Sequence, residues 1–231
     1  MVIDIKKILK NSLTTNDILI NEISTYPKNI INQIMSEGYS EDIFKNYFYE
    51  NTNFNVIGVH FTRLFNYEID DIKANGLHSD GSADYNLKIQ RLPSEFDNYK
   101  PKLIAHIENP LNKRSDGYVY FDVGRIELYY GNSVFLKHWG GETLYTYYDK
   151  LVNTDKELIQ LGNRLRKLTI PCIVIVKVNA YKFFVEFKDE EDLVEYIQEN
   201  QLSGYKNELW IDKDEVEVFD IIPVKKLKLY Y

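Results

Sequence analysis

The run Ile-Pro-Cys-Ile-Val-Ile-Val at residues 170–176 constrains the fold more than any other stretch of this chain. Side chains of a strand alternate between its two faces, so a half-buried strand shows a polar residue at every second position. This run is apolar at nearly all of them and calls for a strand covered on both faces. Six further β-rich runs surround it in the sequence: "VIGVHF", "GYVYFDV", "YKFFVEF", "ELWI", "EVEVFDIIPV" and "KLKLYY". Helical spacing falls between them, at Tyr67–Ala74 closed by Asn75-Gly76, after Val123, at Thr154–Lys167 opened by Thr154 and Glu157, and at Asp189–Glu199. The strand runs cluster instead of alternating strictly with long helices, which predicts an α+β fold over a doubly wound parallel sheet.

The first fifty residues have a different texture. Thr14 with Asp17 has the form of a capping box, and Ile18, Leu19 and Ile23, then Ile30, Ile31, Ile34 and Met35, recur at helical spacing on either side of Pro27. "SEDIFKNYFYE" from Ser40 adds a third helix with an N-cap serine and early acids. The expected organisation is a helical N-terminal extension over 1–52 and a main domain over 53–231. Between His78 and Asp116, which include Pro93, Pro101 and Pro110, the sequence reads mainly as loop, and a loop of that length points to a functional lid.

Charge and cysteine content narrow the function. A formal net charge of −7 argues against broad electrostatic binding to nucleic acid, which rests on phosphate neutralisation by Lys and Arg. The basic runs "LNKRS" and "NRLRK" are local, and read first as solvated loop and helix faces. No apolar stretch reaches the roughly 18–20 residues of a membrane span, and the start lacks a signal-peptide pattern, so the expectation is a cytoplasmic protein with no membrane partner. The single cysteine, Cys172, lies inside the apolar run and is expected to be an inert core thiol. Four scattered histidines, His60, His78, His106 and His138, show no zinc spacing, and no metal is expected. Neither a phosphate-cradling Gly-rich loop with Lys nor a Gly-x-Ser-x-Gly elbow is present.

The chemistry-bearing stretch is "NVIGVHFTRLFNYEIDDIKANGL" from Asn55 to Leu77. In a strand His60 and Thr62 share one face and Phe61 lies on the other. An imidazole and a hydroxyl placed so are suited to hydrogen-bond a ribose or a carboxamide; the plainer use is a satisfied core histidine beside a good strand former.

"VHFTR" followed by "EIDDIKANGL" resembles the first motif of the ADP-ribosyltransferase superfamily, which includes poly(ADP-ribose) polymerases, diphtheria toxin, DNA-modifying toxins and RNA 2′-phosphotransferases. "GYVYFDVGRIELYYGN" resembles the second, a strand leading into a helix that walls the nicotinamide pocket. "SGYKNELWIDKDEVEVFDIIPV" resembles the third, where a catalytic glutamate opens a late strand. The resemblance implies a split mixed β-sheet core and NAD as substrate. It implies that His60 and Thr62 contact the nicotinamide end of NAD, that Tyr120, with Tyr130 as a second candidate, stacks on the ring, and that Glu208 is the catalytic acid. Arg63 or Arg125 would meet the pyrophosphate, since guanidinium forks match phosphate oxygens. A rival acid is Glu142 in "HWGGETLYTYY", behind a Gly140-Gly141 pair that permits close backbone approach to a ligand. The chain departs from the pattern in carrying Phe61 where the polymerase branch has glycine. It also lacks the Ser-Thr-Ser strand and the Glu-x-Glu pair of arginine-modifying enzymes.

The function expected from the resemblance is an NAD-dependent ADP-ribosyltransferase, or an NAD glycohydrolase, acting as a bacterial toxin or anti-phage defence effector. Its macromolecular acceptor, protein or nucleic acid, is left open, and an antitoxin or partner subunit goes with such a role. The alternatives are a non-catalytic nucleotide- or protein-binding module on the same fold and an RNA 2′-phosphotransferase-like enzyme.

Overall fold

The computed structural model describes residues 2–3, 17–19, 55–78, 82–109, 118–123, 126–127, 135–148, 154–179, 208–212 and 216–224. Within them the chain is α+β. The strands are β1 (Val2–Ile3), β2 (Asp17–Leu19), β3 (Asn55–Leu64), β4 (Tyr118–Val123), β5 (Ile126–Glu127), β6 (Ile170–Asn179), β7 (Glu208–Asp212) and β8 (Val216–Pro223). The helices are α1 (Asn66–Asn75), α2 (Ser82–Gln90), α3 (Lys100–Glu108), α4 (Gly141–Tyr148) and α5 (Lys156–Leu168), with a 3-10 turn at Ser94–Phe96.

The main sheet runs β7-β4-β3-β6-β8, with β2 also pairing to β3. β2 runs parallel to β3 (Asp17↔Asn55 to Leu19↔Ile57), and β4 runs antiparallel to it (Gly58↔Val123, Val59↔Asp122). β1 and β5 form a separate antiparallel pair. As the apolar run requires, Cys172 to Val176 are consecutively buried in β6.

The chain divides into two compact units. One comprises Met1–His60, Tyr120–Glu127 and Ile175–Phe219; the other comprises Phe61–Val119, Leu128–Val174 and Asp220–Tyr231. The boundaries fall inside β3, β4, β6 and β8. In the first unit Ile57, Val59, Ile175, Val176, Val178 and Val216 are buried. In the second, the helices close on a core of Phe65, Tyr85, Ile89, Leu92, Phe96, Leu103, Ile107, Trp139, Leu144, Leu158, Leu161 and Leu165.

Local chemistry explains the element ends. α5 buries Leu158, Leu161, Gly162 and Leu165, an i, i+3, i+4, i+7 stripe, and its cap is Asp155, whose Oδ1 accepts the Glu157 N–H at 2.8 Å. The cap therefore lies one residue after the expected Thr154. α1 ends on Gly76 at φ 82, a conformation that favours glycine, in agreement with the Asn-Gly stop in the sequence.

Three expectations are corrected. Asp17–Leu19 is a strand, not part of a capped helix, because pairing with β3 outweighs a local capping signal; the other residues expected to form N-terminal helices lie outside the described residues. The stretch read as a lid is largely helical: α2, the 3-10 turn and α3 occupy it. Two of its prolines start elements instead of breaking them, Pro93 as the cap of the 3-10 turn and Pro101 in the first turn of α3, where a missing N–H is harmless; Pro110 lies outside the described residues. Ile126–Glu127, expected to open a helix, is strand β5. The runs "YKFFVEF" and "KLKLYY" and the helix expected at 189–199 lie outside the described residues.

Candidate functional site

His60 is half-buried near the middle of β3, and Thr62, two residues on, is buried. β4 is the neighbouring strand and carries Tyr120; β7 is the next and begins at Glu208. With strands spaced about 4.8 Å apart, β3 and β7 are separated by about 10 Å. His60, Tyr120 and Glu208 all belong to the first unit, whereas Thr62, Arg63 and Glu142 belong to the second. Glu142 lies in the first turn of α4. Tyr130 and Arg125 lie outside the described residues.

Arg63 is committed to the protein's own backbone. Its Nε donates to Thr169 Oγ1 at 2.8 Å, Nη1 to Leu136 O at 2.9 Å, and Nη2 to Thr169 O at 2.8 Å and to Arg166 O. Arg166 and Thr169 lie at the C-terminal end of α5, where carbonyls lack intrahelical partners and the helix dipole favours a cation. The fork thus caps α5 and ties it to the end of β3. This engagement is a structural reason for an arginine at the end of the strand.

Glu68 was not singled out by sequence, yet it organises the second unit's interior. At the third position of α1 its Oε2 accepts the Phe65 N–H at 2.7 Å and the Trp139 Nε1–H at 2.9 Å, while Lys88 Nζ lies 3.2 Å from Oε1. A carboxylate reaching back to the N–H ahead of a helix is the capping use of glutamate, and "FNYE" carried that signal. Trp139, fully buried, meets Phe65 edge to face at 5.8 Å, and Lys88 Nζ lies 5.2 Å from its ring.

The glycine pair after Trp139 serves the fold in the same way. Gly140 (φ 84) and Gly141 (φ 58) both lie in the left-handed region. A Cβ on Gly140 would fall 2.3 Å from Leu144 Cδ1, and the Gly140 carbonyl accepts the Tyr85 hydroxyl at 3.0 Å. At Gly140 the close approach is to Leu144. On the neighbouring face His106 Nε2 lies 3.1 Å from Thr143 O and its ring 4.4 Å from that of Tyr147; burial lowers the imidazole's pKa.

Asp71 and Cys172 are perturbed as well. The Arg91 guanidinium, followed by the Asn75 amide, holds the Asp71 carboxyl down to about 2. Burial pushes the Cys172 thiol up to about 11, consistent with an inert core position. Among the described residues no group of three or more His, Cys, Asp or Glu is arranged to hold a metal ion, and no helix is long and apolar enough to cross a membrane.

Comparison with protein-family models, curated proteins and solved structures gives no match.

Proposed function

We propose that this chain is an NAD-dependent ADP-ribosyltransferase-like enzyme with the split mixed sheet of that superfamily, acting as a toxin or anti-phage effector. The observation that supports the reading is strand order: His60 and Glu208 come from β3 and β7, separated only by β4, within one compact unit.

In this mechanism the glycosidic bond between the ribose and nicotinamide breaks, and nicotinamide leaves with the electron pair. The Glu208 carboxylate stabilises the oxocarbenium-like charge that grows on the ribose, a fixed electrostatic contribution worth several kcal/mol in comparable sites. His60 and Thr62 hold the ribose and carboxamide. The nucleophile, an acceptor group of a protein or nucleic acid or else water, closes on the ribose carbon and releases its proton. Tyr120 stacks on the nicotinamide ring, with Tyr130 as the second candidate. With Arg63 engaged by carbonyls, the pyrophosphate falls to Arg125 or to main-chain donors. Glu142 is the second candidate acid.

The test is release of free nicotinamide from labelled NAD by the purified chain, compared with Glu208→Gln, Glu142→Gln and Tyr120→Ala. Turnover should be abolished by Glu208→Gln and weakened by Tyr120→Ala. NAD binding without turnover would favour the binding-module alternative instead.

A further inference from the structure

We draw no further inference here: the strongest candidate, the Trp139-Gly140-Gly141 turn ahead of α4 that Glu68 and Tyr85 pin in place, carries nothing because its hydrogen bonds are made within the protein and no independent observation among the described residues points to a ligand there.

Discussion

Replacing Arg63 with methionine separates the two roles an arginine in this strand was able to play. The substitution keeps an apolar stem of similar reach and removes four donated hydrogen bonds. Two of the acceptors, Leu136 O and Thr169 O, are buried, and each left bare costs roughly 1–3 kcal/mol. The Arg166 carbonyl is only partly buried, so water replaces its partner, and Thr169 Oγ1 keeps its own bond to Leu165 O at 2.6 Å. Removing a desolvated guanidinium returns part of the loss. The net expectation is a destabilisation of about 3 kcal/mol. With a urea slope of about 3 kcal/mol/M, the unfolding midpoint falls by about 1 M. Arg63→Lys recovers only part of this, since an ammonium lacks the planar fork. The assay is urea denaturation followed by circular dichroism. A midpoint within about 0.2 M of the parent, together with a large rise in KM for NAD, would refute the structural role and restore the pyrophosphate reading.

Alanine at two of the three positive-φ glycines, Gly76 and Gly140, should give different losses. Gly76→Ala meets open space and carries only the backbone penalty, roughly 1–3 kcal/mol, whereas Gly140→Ala adds overlap with Leu144 and should unfold at clearly lower denaturant; equal midpoints would contradict the packing described. Because the Asp71 pKa is depressed, its pairing stabilises the fold above about pH 4 and is lost as pH falls toward 2. With Arg91 half exposed, the stabilisation is discounted to about 1 kcal/mol, so Asp71→Asn should lower stability by that amount at pH 7 and by nothing near pH 2. Cys172 should resist a thiol reagent at pH 8 in the folded protein and react fully in 6 M guanidinium, a concentration on the order of that used to unfold most domains; rapid native labelling would contradict its burial.

How much of this was legible in the sequence depends on which force decides each element. β6 was readable because an unbroken apolar run has few ways to be satisfied, and α1 and α5 because their stripes and stop or cap signals agree. Around Pro93 and Pro101 proline suggests a break in the chain's regular structure, whereas Tyr85, Ile89, Leu92 and Phe96 recur at helical spacing and reach the core. Asp17–Leu19 was misread because a capping pattern is local and strand pairing is not. At the candidate site, the His60–Thr62 strand was identifiable from alternation alone. That Arg63 closes a helix end over a hundred residues away was not, since no local pattern encodes its partners. Glu68 lay within reach, as a glutamate early in a predicted helix, but its bond to Trp139 depends on tertiary packing.

In the proposed mechanism the acid opening β7 acts on the same bound dinucleotide as the histidine of β3. The most direct measurement is single-turnover release of nicotinamide from labelled NAD by the parent, Glu208→Gln and His60→Ala proteins, with folding of each checked by circular dichroism. The account predicts release by the parent, a loss of at least about 100-fold on Glu208→Gln, in line with removing one electrostatic contributor to a transition state, and weakened NAD binding on His60→Ala. Release by Glu208→Gln at the parent's rate, or none by the folded parent with any acceptor, would contradict it.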